Sequence, residues 1–277
     1  MSQLQDAIRR AQEVQQENAR SHEDQSGRGT RSIRSGEYKR DYPVTVYDLQ
    51  PSHHFELKPE VLERNRIIHE NYALEDLTPY KMLRTRVLQK MEASQWRTLA
   101  VTSAHEGAGK TVTSINLAIT IALQGDHEVY LLDLDLRKPG IANCLGLPAQ
   151  RDGISDFLTE RRTLGEVLWE VGIEHLLVVP GKERIANSSE LITSPRMKEL
   201  MSTIRSVQGD PIAIIDLPPV LSADDALAIA PMVDAVLLVV SEGETRRADM
   251  LRSMELMKNT NIIGVTLNKS HGPRQGY

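Results

Sequence analysis

The stretch Ser103-Ala104-His105-Glu106-Gly107-Ala108-Gly109-Lys110-Thr111 puts glycines, a lysine and a threonine into one short turn. That set suits phosphate: glycines let the backbone approach closely, a lysine offsets the charge, and a hydroxyl can hold Mg²⁺. Apolar Leu99-Ala100-Val101 precedes it and reads as a buried strand. Ile115, Leu117, Ala118, Ile121 and Leu123 follow at helical spacing. Strand, turn and helix bring backbone N–H groups and a positive helix end to one place. Glu106, Gly107, Ala108, Gly109, Lys110, Thr111 and Val112 are therefore the expected nucleotide-binding residues, with Lys110 on the β- and γ-phosphates and Thr111 on Mg²⁺. The first glycine of G-x-x-x-x-G-K-[ST] falls on Ala104.

Two further apolar runs end in carboxylates. Val129 to Leu132 leads into Asp133-Leu134-Asp135-Leu136-Arg137-Lys138-Pro139, and Ile212 to Ile215 leads into Asp216-Leu217-Pro218-Pro219. Ligands of open α/β sheets bind at the carboxyl ends of the strands, where these aspartates would meet the glycine turn. A lone aspartate at a strand end is commonly a cap or turn residue. Three of them behind buried strands, in a chain that also carries Gly-Lys-Thr, point to a Mg-nucleotide site.

These residues need a frame. With 277 residues, 40% of them hydrophobic, the chain has room for one α/β domain and an extension. Strands are expected near 97–103, 128–134, 175–180, 211–216, 234–240 and 261–267. Helices are expected near 58–70, 78–92, 110–123, 154–170, 188–207, 223–231 and 244–259. This alternation predicts an α/β fold, a mostly parallel, doubly wound sheet with helices on both faces. Residues 1–40 form an extension, an amphipathic helix over about 2–19 and a basic Ser/Gly/Arg-rich linker; 41–93 form a helical segment; 94–270 form the nucleotide-binding domain; 271–277 form a flexible tail. Net charge is −5, which gives no reason to expect a nucleic-acid partner. The single cysteine, Cys144, excludes an internal disulfide and fits a reducing cytoplasm, as a small buried hydrophobe. Met1 to Arg20 is too polar for a signal peptide, and the apolar tract Ala226–Val240 is interrupted by Pro231 and Asp234, so a helix followed by a strand is expected there.

Taken together, these motifs resemble the bacterial tyrosine kinases of capsule and exopolysaccharide synthesis, which are P-loop proteins. The resemblance covers about residues 78–270 and rests on Ala104 to Thr111, on Leu131 to Pro139 and on Ile214 to Pro219. In that family a small residue commonly replaces the first P-loop glycine, as Ala104 does here. Weaker echoes are Gly153-Ile154-Ser155-Asp156, Asn187 with Glu190-Leu191 and Ser194, and Asp225-Ala226. The cell-division and chromosome-partitioning ATPases are similar in fold, but they carry an extra lysine where this chain has His105, and a small residue where it has Pro219.

The resemblance implies ATP and Mg²⁺ as cofactors, Lys110, Asp133 and Asp135 as catalytic residues, and Thr111, Asp133 and Asp216 around the metal. Asp133 would accept the tyrosine proton, Arg137 would fix the aspartate loop or make a surface ion pair, and Asn268 would read adenine. It also implies a homo-oligomer, with a transmembrane polysaccharide co-polymerase of the chain-length-determinant kind recruiting a cytoplasmic protein to the inner face of the membrane. Two departures bear on activity. The tail holds one tyrosine, Tyr277, as the autophosphorylation candidate, with Tyr38, Tyr42 and Tyr47 as a second cluster. The family's Glu-x-x-Arg-x-x-Arg oligomerisation helix reads Thr78, Lys81 and Arg84. The short tail keeps an alternative open, an ATP-dependent assembly switch with little kinase activity.

Overall fold

A computed structural model describes residues 49–70, 74–185 and 188–270. The N-terminal extension over 1–40, the tyrosines at 38, 42, 47 and 277, the tail over 271–277 and Asn187 lie outside the described residues. Eight strands form one sheet: β1 (His53–His54), β2 (Thr98–Ser103), β3 (Val129–Asp133), β4 (Trp169–Glu170), β5 (Leu176–Val179), β6 (Ile212–Asp216), β7 (Ala235–Ser241) and β8 (Ile262–Asn268). Their spatial order is β1-β4-β5-β3-β6-β2-β7-β8. Every pairing is parallel except β4 with β5. All six expected strands are present, and the doubly wound α/β expectation holds. β1 and β4 are additions, too short at two residues each to leave a periodic pattern. His53 stacks on Trp169 across this added edge, with ring centroids 4.3 Å apart.

The central strands are buried on both faces. In β2, β3, β6 and β7 every side chain is buried, as parallel strands covered on both sides require. Helix α3 (Lys110–Ala122) lies between α2 (Leu74–Ala93) and the sheet, packing on β2, β3, β5 and β6. It is apolar almost all round, so burial rather than propensity holds it. Ile115, Leu117, Ala118, Ile119 and Ile121 of α3 join Leu99, Val101, Leu131 and Ile214 in one core.

Several helices are shorter than their periodicity suggests, each for a local reason. The helix expected over 58–70 is only α1 (Pro59–Arg64), and Arg66 takes a positive φ just beyond it. The helix expected over 154–170 becomes α5 (Ile154–Leu158), α6 (Leu164–Val167) and β4, because Thr163 and Glu166 form a capping box that starts a new helix. The helix expected over 188–207 divides into α7 (Ser188–Ile192) and α8 (Pro195–Ser206), since Ser194 caps α8 and Pro195 takes its first position. A short helix, α4 (Ile141–Leu145), follows the aspartate loop. Beyond β6 come α9 (Asp225–Ile229) and, between β7 and β8, α10 (Arg247–Leu256). The tract Ala226–Val240 is thus helix, turn and strand, and among the described residues no helix is long and apolar enough to cross a membrane.

Candidate active site

The glycine turn joins β2 to α3. Gly109 precedes the first residue of α3 at φ 89°, a left-handed conformation that an L side chain rarely adopts. A Cβ there would also overlap the amide of Asn268. The β6 end is zipped to this turn: Leu217, Val220 and Leu221 donate backbone N–H groups to Val101, Ser103 and Ala104 at 3.0, 2.8 and 3.2 Å. Thr102 adds a bond from its hydroxyl to the Pro218 carbonyl at 2.7 Å.

Adjacent strand ends bring three carboxylates onto one lysine. Asp133 and Asp216 are register partners across β3 and β6, and both are fully buried. Lys110 Nζ lies 2.7 Å from Asp135 Oδ2 and 3.4 Å from Asp216 Oδ2. Burial works against its charge, yet Asp216, Asp135 and Asp133 outweigh burial and hold its pKa above the ordinary lysine value. The Thr111 hydroxyl donates to Asp216 Oδ2 at 2.6 Å, and Ser114, one turn along α3, donates to Asp216 Oδ1 at 3.1 Å. Burial foremost lifts the Asp216 carboxyl above the usual range against the pull of Lys110. Asp133 Oδ2 accepts the backbone N–H groups of Gly140 and Ile141, each at 3.0 Å. Burial and the neighbouring Asp216 push the Asp133 carboxyl up to about 7.

One ammonium cannot neutralise three carboxylates, and the excess negative charge favours a cation. The Asp133 Oδ1 atom is buried without a hydrogen-bond partner, and the Thr111 hydroxyl meets Asp216 beside it in the chain's strand-end cluster. Among the described residues no three Asp, Glu, His or Cys side chains form a metal cage of their own. These oxygen donors fit Mg²⁺, which keeps several waters and uses one or two carboxylates together with substrate phosphates.

The remaining expected residues separate into those near the pocket and those turned from it. Glu106 is exposed and bridges to Lys138 at 2.6 Å, an ion pair that holds its carboxyl below the usual range. Val112 packs against the core. Asn268 does not stand free: its amide donates to the Ala108 carbonyl at 2.9 Å while its oxygen accepts from Lys269 N. His105 pairs with Asp249 of α10 at 3.2 Å. Arg137 is anchored, with Nε 3.0 Å from buried Asp225 and Nη2 3.1 Å from Asp224. Cys144 is half-buried, and burial pushes its thiol up to about 11, which keeps it protonated.

Sequence reasoning missed three contributors. Ser114 carried a signal, a hydroxyl three residues after Thr111 on the same helix face. Gly181 carried none: it abuts the Asp133 pocket, where a Cβ would collide with Pro139 and stand 3.1 Å from Asp133 Oδ2. Arg151, buried, holds the Gly181 carbonyl in place through Nε and Nη2 at 3.0 and 2.7 Å.

The family model of ParA, described as an NUBPL iron-transfer P-loop NTPase, matches residues 95–273. The tyrosine-protein kinase CpsD of Streptococcus pneumoniae is 30% identical over 192 residues, which is 69% of this chain and 82% of CpsD. The succinoglycan biosynthesis transport protein ExoP of Rhizobium meliloti is 32% identical over 193 residues; 66% of this chain is covered, but the match spans only 23% of ExoP. Among solved structures, the kinase domain of VpsO superposes with a TM-score of 0.62 at 26% identity, covering 72% of this chain and all of that domain. Glycine turn, carboxylate strand ends and these matches agree, and the chain belongs to the ParA-type P-loop NTPases and, among them, to the bacterial tyrosine-protein kinases.

Proposed function

We propose that this chain is an ATP-dependent protein-tyrosine autokinase that regulates exopolysaccharide or capsule polymerisation and export. The observation that carries the reading is the meeting of Lys110, Asp133, Asp135 and Asp216 at the mouth of the glycine turn. Kinase-named relatives at 30% identity or more support it over the assembly-switch alternative.

Phosphoryl transfer asks the protein mainly for alignment and charge neutralisation. Backbone N–H groups from Glu106 to Thr111 would cradle the phosphates of ATP. Lys110 would leave Asp135 for the β- and γ-phosphates, exchanging one anionic partner for another. Thr111, Asp133 and Asp216 would hold Mg²⁺, which when bound supplies charge neutralisation across the phosphates. A tyrosine oxygen would then bond to the γ-phosphorus as the bond to the β–γ bridging oxygen breaks. Asp133 would take the phenolic proton, and ADP would depart. Asp135 would steady Lys110 between turnovers, and Asn268 would flank the nucleotide from the end of β8.

The exopolysaccharide context of ExoP supports a transmembrane co-polymerase of the chain-length-determinant kind as partner, with this chain acting as a homo-oligomer at the cytoplasmic face of the membrane. Tyr277, nine residues beyond Asn268, is the first acceptor to test, since such a tail reaches at most about 30 Å. Self-incubation of the parent and of Tyr277→Phe with Mg-ATP, read by phosphopeptide mapping, tests the assignment. Loss of most label with intact ATP hydrolysis is expected. Undiminished label on Tyr38, Tyr42 or Tyr47 would move the acceptor to the N-terminal side.

A further inference from the structure

Asp133 and Asp216 close strands β3 and β6 and are held in register by the sheet, whereas Asp135 stands beyond β3 on a loop. The placement of that loop decides whether Asp135 joins Asp216 on Lys110. The β6 loop has a firm base, because its backbone is bonded to Val101, Ser103 and Ala104 at the root of the glycine turn. The β3 loop is bonded through Leu134 N to the Asp216 carbonyl at 2.9 Å, through the Leu136 carbonyl to Ile185 N at 2.8 Å, and back to Asp133 through Gly140 and Ile141, which leaves the side-chain end of its turn to be held by Arg137. Lys138 N then turns back onto Asp135, at 3.1 Å to its carbonyl and 2.9 Å to its carboxylate, so the turn carrying Asp135 is closed on itself.

Arg137 sits in that turn, two residues beyond Asp135, and reaches across to the far end of the β6 loop. Its Nε donates to Asp225 Oδ2 at 3.0 Å and to Ser188 Oγ at 3.2 Å, and its Nη2 donates to Asp224 Oδ1 at 3.1 Å. Asp225 is fully buried, and its Oδ2 also accepts the Ser188 hydroxyl at 2.6 Å. Ser189 adds a bond to Asp225 Oδ1 at 3.0 Å. A buried carboxylate held from several sides is a fixed point, unlike an exposed side chain that follows its partner. An ordinary surface ion pair contributes little and constrains nothing; one with a buried, multiply bonded partner does constrain.

We propose that Arg137 is a positioning residue: by tying the Asp135 turn to Asp225, it fixes the spacing of the Asp135 and Asp216 carboxylates across Lys110. This rests on the kinase reading for its catalytic consequence, though not for the mechanical link itself. The link joins the β3 turn to the start of α9 and to α7, so with Asp216 held in its strand the Arg137 end sets where Asp135 sits. Misplacing catalytic groups by about 1 Å costs roughly 100-fold in rate, a larger effect than the loss of a surface contact.

The test uses the full chain and two variants, Arg137→Met, which keeps the unbranched apolar stem but loses the guanidinium, and Arg137→Lys, which keeps the charge but not the two-sided fork. Hydrogen exchange without nucleotide comes first. Arg137→Met is expected to speed exchange in both 134–141 and 224–229, where Asp225 loses its cation, and Arg137→Lys to restore part of the protection. Acceleration confined to 134–141 would overturn the link. Kinetics follow: kcat for ATP turnover is expected to fall roughly 10- to 100-fold in Arg137→Met, while nucleotide affinity in EDTA changes less than about threefold, the pattern of a lost transition-state arrangement. An unchanged kcat in a variant with loosened loops would overturn the positioning role. A parent chain with no ATP turnover would sink the kinase reading, and the link would still stand or fall on exchange.

Discussion

Removing Lys110 perturbs more than nucleotide binding, because this lysine is also the counter-charge of a buried carboxylate cluster. From sequence alone Lys110 belongs to the ligand and not to the core, and its removal should spare the fold. The structure gives a reason to expect otherwise, with Nζ buried 2.7 Å from Asp135 and 3.4 Å from Asp216. Removing one partner of a buried ion pair typically costs about 3–5 kcal/mol, since the remaining charge stays buried and unpaired. In a domain of this size about 1 kcal/mol shifts Tm by roughly 2–4 °C, so Lys110→Met should melt about 6–20 °C below the parent at pH 8. The deficit should depend on pH. Asp133 is lifted to about 7, above its unfolded value of 3.8. Between those values the native state binds more protons than the unfolded state, so this group lowers stability as pH rises. Without Lys110 the carboxyls rise further, and the loss extends to higher pH. The gap between variant and parent should therefore be small near pH 5 and widest at pH 8. Thermal melts of both proteins across that range are the assay. A Tm difference below about 2 °C at pH 8 would refute the reasoning.

Three further perturbations follow from the same contacts. Asp133→Asn removes the pH-sensitive carboxyl but keeps its volume, so the nucleotide-free variant should match or exceed the parent's Tm at pH 8 and lose ATP turnover; a lower Tm at pH 8 than at pH 5, as steep as the parent's, would count against it. Gly181→Ala drives a Cβ onto Pro139 and towards Asp133 Oδ2, so it should cost about 1–3 kcal/mol in denaturant melts and reduce turnover. Asn268→Ala releases the Ala108 carbonyl, so ATP and ADP affinities should fall together by about tenfold or less in calorimetry; loss confined to discrimination between ATP and GTP would instead place Asn268 on the base.

Much of this was readable in the chain because the signals were local. The glycine turn, the apolar runs into Asp133 and Asp216, and α3 each depend on neighbours within a few residues, and the parallel sheet follows from alternation, though its strand order does not. What escaped was set at long range. The pairing of Lys110 with Asp135 and the anchoring of Arg137 on Asp225 join residues 25 and 88 positions apart, and the contacts that make Gly181 necessary reach back to Pro139 and Asp133. Periodicity also overran true ends: the apolar spacing continues through Thr163 and Ser194, whose caps start new helices. The two-residue strands β1 and β4 exist only through pairing at the sheet edge, β4 on β5 and β1 on β4, which no single segment reveals.

The central claim is transfer of the γ-phosphoryl group to tyrosine. Full-length protein incubated with Mg²⁺ and γ-labelled ATP, with and without the cytoplasmic segment of a co-polymerase, can be acid-hydrolysed and scored for labelled phosphotyrosine beside an Asp133→Asn control. The account predicts phosphotyrosine in the parent and none in the control. ATP hydrolysis by the parent without labelled tyrosine, even with the partner present, would contradict it and leave a nucleotide-driven assembly switch.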